Sequence, residues 1–153
     1  MVLSQRAASG ARRSVRFAVA ALAFEMFLLG IPASVAPRWF FDAFPLSRGW
    51  VAGHGPFNQH AITDFGYAYL GLGVVLVWAA FQPGRLLCRV AAAGATVANL
   101  PHLLFHLTHP GDLSFGDNLV QAALLVTAVL VGVAAVVVSY LPWPAGEEWD
   151  RER

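Results

Sequence analysis

The chain has 153 residues, 58% hydrophobic and only 12% charged, with a formal net charge of +1. That is too little charge to cover the surface of a water-soluble domain of this length. The near-neutral balance and absence of a basic patch exclude a nucleic-acid binder, and a single cysteine, Cys88, excludes an intramolecular disulfide or a CxxC redox pair.

Residues 1–16 are polar and carry Arg6, Arg12, Arg13 and Arg16. They read as a loosely ordered cytoplasmic leader. Residues 17–36 are the first of four hydrophobic stretches, each about the ~20 residues an α-helix needs to cross ~30 Å of hydrocarbon. The arginine leader, the apolar core and Ser34-Val35-Ala36 are the parts of a cleavable signal. The length of the core and Pro37 directly after the small residues favour a retained helix. Arg12-Arg13 fits a cytoplasmic anchor better than a twin-arginine export signal. The span is expected to end around Pro32 and Pro37, because proline removes a backbone donor and disfavours helix before it.

The segment 37–60 is long and aromatic, with Trp39, Phe40, Phe41, Phe44, Trp50 and Phe57. It is too apolar for a free linker. It reads as a cap folding over the bundle mouth, or as an interfacial anchor, since aromatic residues concentrate at that depth. The second span, 61–81, begins near His60, and Gly66, Gly71 and Gly73 allow close helix approach. The short turn at 82–85 predicts an antiparallel hairpin with the third span, 86–106. That span holds Cys88 as a small packing residue, then the run Ala91–Ala95, and is interrupted at Pro101. In the following loop, His109-Pro110 closes the helix, and Ser114 with Asp117 resembles a capping box. The fourth span, 119–141, is Val-rich and turns much of its surface to lipid. Pro142-Trp143-Pro144 stops it, and 142–153 is a charged tail.

Eight of the ten basic residues fall in the leader, the 82–89 region and the tail; only Arg38 and Arg48 fall on the other side. The positive-inside rule therefore predicts an all-α integral membrane four-helix bundle, up-down, with both termini cytoplasmic. Trp39 and Trp50 would mark the outer interface, and Trp78, Trp143 and Trp149 the inner one. Localisation in a bacterial plasma membrane follows, with the lipid bilayer as partner and homo-oligomer or membrane-complex assembly open.

The polar residues inside the spans are costly in lipid and so point inward and often to function. They are Glu25, His60, Asp64, Asn99, His102, His106 and Gln121. His60 and Asp64 are four apart and share a helix face, which Tyr67 and Gly71 continue; His102 and His106 do likewise, with Asn99 extending inward. In an antiparallel hairpin, a ~1.5 Å rise per residue brings His60 level with His106 and Asp64 level with His102. Two such pairs on neighbouring helices are how helical bundles build metal sites. Three imidazoles and a carboxylate suit Zn²⁺, Fe²⁺ or Mn²⁺, with Asp64 as ligand or as acceptor orienting a ligating His. Haem ranks lower, because four-residue spacing within a helix favours a single ion. The competing reading is a hydrogen-bonded cluster that locks the bundle, in which His60–Asp64 and Asn99–His102 satisfy one another. Proton relay and substrate binding complete the alternatives. Glu25 and Asp64 are the acid–base candidates. Tyr67, Asn99 and Gln121 would support the site. His54, in the Gly-rich loop, could reach it from above, although His54 and His109 read more simply as solvated loop histidines.

The segments Pro37-Arg38-Trp39-Phe40-Phe41-Asp42, Gly55-Pro56-Phe57-Asn58-Gln59-His60, Asp64-Phe65-Gly66 and Pro101-His102-Leu103-Leu104-Phe105-His106 resemble those of small four-span bacterial membrane proteins. The layout over 17–141 is similar to the DoxX-like group. That resemblance implies a link to quinone or thiol redox systems, although one cysteine does not supply the thiol equipment. Three functions follow as expectations: a metal- or cofactor-binding redox accessory with its site near the outer membrane face, an intramembrane enzyme on a lipid-like substrate, or a structural subunit of a membrane complex.

Overall fold

The computed structural model describes residues 2–143. They form α1 (Val2–Val35), α2 (Pro37–Ala43), a short 3₁₀ turn at Ala52–His54, α3 (Gln59–Phe81), α4 (Arg85–Thr108) and α5 (Phe115–Val138). Four segments are long and apolar enough to cross a membrane: Ala8–Val35, Gln59–Phe81, Arg85–Thr108 and Phe115–Val138. Trp149, Arg151 and Arg153, expected in the tail, lie outside the described residues.

The first helix starts far earlier than expected. Residues 2–16 are helical rather than loosely ordered. Ala7, Ala8 and Ala11 favour helix, and only Gly10 opposes it. Both internal prolines are passed: α1 continues through Pro32 and α4 through Pro101. Neighbouring helices and local adjustment absorb one missing N–H bond in an apolar helix. At Pro37 the chain turns, and that proline opens α2 at a helix start, where an N–H would be unpaired anyway.

The α1–α3 interface is the most extensive in the fold, followed by α4–α5. Helix α1 contributes Val15, Val19, Leu22 and Met26, all fully buried. Helix α3 meets it with a stripe of Gly66, Tyr69, Gly73, Leu76 and Ala79. A Cβ built on Gly66 would lie 2.7 Å from the backbone nitrogen of Ser34, and one on Gly73 would lie 3.3 Å from the Cβ of Met26. The glycines therefore set how closely the backbones approach. Although a short turn joins α3 to α4, their mutual interface is smaller. The small residues of α3 face α1 instead. The opposite side of α3, carrying His60, Asp64, Tyr67, Gly71, Val74 and Trp78, is exposed. Helix α5 buries only Leu125, Gly132 and Ala135, in line with its expected lipid-facing surface.

At one end of the bundle, arginines cap helix C-termini. Arg16 Nε donates to the Ala80 carbonyl at 3.0 Å. Arg89 Nε donates to Ser139 Oγ at 3.1 Å, and its guanidinium sits 3.5 Å from the Tyr140 ring centroid. These are favourable partners for orphan carbonyls and for an aromatic face. Cys88 is buried nearby, as expected of a packing residue.

The other end is closed by the segment between α1 and α3. Phe40 packs on Phe65, and Phe41 on Phe57. Trp50, expected at an interface, is buried, and its Nε1–H donates to Asp117 Oδ1 at 2.9 Å. Arg48 pairs with the same oxygen. Ser114 is the N-cap of α5 and accepts from Asp117 N at 3.1 Å, as the capping pattern implies. The Asp112 N–H donates to the Gly53 carbonyl at 3.1 Å. The segment is thus a folded cap held on α5 and on the loop before it.

Candidate functional site

The expected constellation is divided between two faces. His60 Nε2 lies 3.3 Å from Asp64 Oδ2, and both side chains are largely exposed, at 88% and 58%. No hydrogen bond or ion pair among the described residues joins them to His102 or His106. The reason is the rotation of α3. Tyr69, five residues beyond Asp64, is turned inward by the glycine stripe, so Asp64 is turned outward by about 140°. Tyr67 is exposed with it.

His102 and His106 do come together, with Nε2 atoms 2.8 Å apart. Of their further neighbours, His54 is the loop residue able to reach the site from above, and Tyr69 is one the sequence reading does not single out. His106 Nδ1 is 3.2 Å from His54 Nε2, a residue of the cap. His102 Nδ1 is 3.4 Å from the Tyr69 hydroxyl, on the buried face of α3. His54 Nδ1 is 2.9 Å from the Trp50 carbonyl, and its Nε2 is 3.1 Å from the His109 carbonyl. His109 itself ends α4 and stacks its ring on Phe105. The four groups form a line from cap to core: His54, His106, His102, Tyr69. A sequence signal for Tyr69 exists, since it falls three residues from Gly66 and four from Gly73 on a small-residue stripe. For His54 the signal is its place in the Gly-rich loop above the site, and it reaches the site because the cap is folded.

Glu25 lies on α1, the helix that packs against the Tyr69 face of α3. Asn99 is fully buried, and its Nδ2 donates to Glu25 Oε2 at 3.4 Å. Asn99 Oδ1 and Gln121 Oε1 are buried without a hydrogen-bond partner.

One set of tautomers gives the line a single direction. His54 faces a carbonyl with each nitrogen, and with its proton on Nδ1 it donates to Trp50 and leaves Nε2 as an acceptor. In the neutral ring, His54 Nε2 then accepts from His106 Nδ1–H. His106 Nε2 accepts in turn from His102 Nε2–H, and His102 Nδ1 accepts from the Tyr69 hydroxyl. Every ring is neutral and each link has one donor and one acceptor. A protonated His54 is also accommodated, because Nε2–H then faces the His109 carbonyl.

This geometry is a chain, not a chelate. Ligands of one ion must aim their lone pairs at a common point. His54 instead meets His106 on the nitrogen opposite the one facing His102. Among the described residues, no group of three or more His, Cys, Asp or Glu side chains is arranged to hold a metal ion. No family model, curated protein or solved structure matches the chain.

Proposed function

We propose that this is a multi-pass, up-down membrane protein that relays protons between its capped outer face and a polar site formed by half-buried Glu25 and buried Asn99. The observation that carries this is the unbroken line of four hydrogen-bonding groups, His54, His106, His102 and Tyr69, which one set of tautomers orients in a single donor direction. In one passage, Tyr69 gives its proton to His102 Nδ1, His102 Nε2–H passes to His106 Nε2, and His106 Nδ1–H passes to His54 Nε2. Tyr69 has then lost one proton and His54 has gained one. The His54 cation is held by the Trp50 and His109 carbonyls, and Glu25, on the helix packed against the Tyr69 face of α3, would restore the tyrosine proton. Such a relay suits an accessory to membrane redox chemistry. Among the expected roles, a purely structural cluster is the alternative that the same experiment tests.

The test follows hydrogen–deuterium exchange of the Glu25 carboxyl group by infrared spectroscopy, with Glu25→Gln identifying the band in reconstituted protein. His106→Phe is expected to slow exchange by about a hundredfold, the low end of what a positioned proton-transfer group contributes. His60→Phe, on the outward face, is expected to leave it unchanged. Equal rates in wild type and His106→Phe would assign the cluster to structure alone.

The orientation is a separate expectation. Reporter fusions at residue 10, in the 82–84 turn and after residue 145 should report the cytoplasm, and a fusion near residue 112 the opposite side, from the arginine bias. An external signal from the 82–84 turn would overturn it.

A further inference from the structure

At the arginine end, a groove of about 540 Å³ opens between α1 and α3. This lies within the ~300–1,000 Å³ range of small-molecule sites. Phe17, Phe24 and Phe81 wall it, Ala20 leaves its middle open, and Arg13 and Arg16 stand at one end. The three phenylalanines are exposed, on helices apolar enough to cross a membrane. Arg16 is fixed in place by its Nε–H bond to the Ala80 carbonyl, which leaves its terminal nitrogens for another acceptor. Arg13 makes no hydrogen bond or ion pair among the described residues.

The lining is apolar along its length and cationic at one end only. A free anion would not need the aromatic walls, and a neutral amphiphile would not need two guanidiniums. An anionic phospholipid needs both: guanidinium forks pair with a phosphate, and an acyl chain fills the slot. Basic pockets between membrane helices bind such headgroups on the same physical grounds. We propose that this groove binds one anionic phospholipid from the leaflet on the arginine side, with its phosphate on Arg13 and Arg16 and one acyl chain between Phe17, Phe24 and Phe81.

The test is native mass spectrometry of the full chain in detergent with equal phosphatidylglycerol and phosphatidylcholine. Wild type should retain one phosphatidylglycerol in preference, and excess inorganic phosphate should not displace it. Arg13→Gln/Arg16→Gln should lower retention roughly thirtyfold, the worth of two surface arginines. Should loss of the Arg16 bond unfold the protein, Arg13→Gln alone should still lower retention roughly fivefold. Ala20→Phe keeps both charges, fills the slot and should also release the lipid. Arg151→Gln/Arg153→Gln removes equal charge from the tail and should change nothing. Equal retention of both lipids, full retention in Ala20→Phe, or equal loss in the tail variant would overturn the site. Displacement by phosphate alone would reduce it to an anion contact.

Discussion

Replacing Gly66 by alanine is expected to destabilise the protein by about 1–3 kcal/mol, the usual cost of overpacking, and replacing it by leucine by more. A Cβ there would lie 2.7 Å from Ser34 N and 3.0 Å from Ala33 C. Both are backbone atoms, so no side-chain rotation relieves the clash, and α1 must move away from α3. That movement also turns Tyr69, one turn along the same face, away from His102. Gly71→Ala is the matched control. Nothing lies within 4 Å of its would-be Cβ, so alanine should be neutral or stabilise by up to ~1 kcal/mol through helix propensity. Thermal unfolding in detergent compares the two. If Gly66→Ala behaves like Gly71→Ala, glycine does not set the α1–α3 distance.

These glycines show what was legible and what was not. All three of Gly66, Gly71 and Gly73 read as contact residues, yet 66 and 71 are five apart and so about 140° from one another on a helix. They cannot share an interface. Choosing between faces needs a partner helix, and the partner of α3 is α1, not the neighbour to which the short turn ties it. The same choice separates Asp64 from His102. On α4 the polar residues were read correctly onto one side, because Cys88, Ala91, Ala92, Ala95, Asn99 and Leu103 mark the buried face by their spacing, and His102 and His106 lie beside it. The helical spans were legible from hydropathy alone. The start of the first helix was not, because its polar, arginine-bearing first residues are helical without being apolar. The role of His54 depends on how a glycine-rich segment folds, and no local pattern encodes that.

Asp117 holds that segment, and its loss should open the cap. Its Oδ1 accepts from the buried Trp50 indole and from Arg48, and its Oδ2 accepts from the Ser114 hydroxyl at 2.6 Å. Asp117→Ala removes both acceptors and all three bonds. The exposed Arg48 regains water at little cost, since surface ion pairs are worth ~0–1 kcal/mol. The Trp50 N–H does not, because Trp50 is only 7% exposed. An unsatisfied buried donor costs about 1–3 kcal/mol, and the cap can avoid that cost by lifting Trp50 into water. Lifting Trp50 also withdraws its carbonyl from His54, and His54 from His106. Two results are therefore expected together in Asp117→Ala. Amide exchange should accelerate in 46–54, and proton exchange at Glu25 should slow as it does in His106→Phe. Arg48→Gln should produce neither beyond a small change. If Arg48→Gln opens the cap as fully as Asp117→Ala, the ion pair and not the indole bond is the latch. If the cap opens while Glu25 exchange stays at the wild-type rate, protons reach the carboxylate without passing through His54.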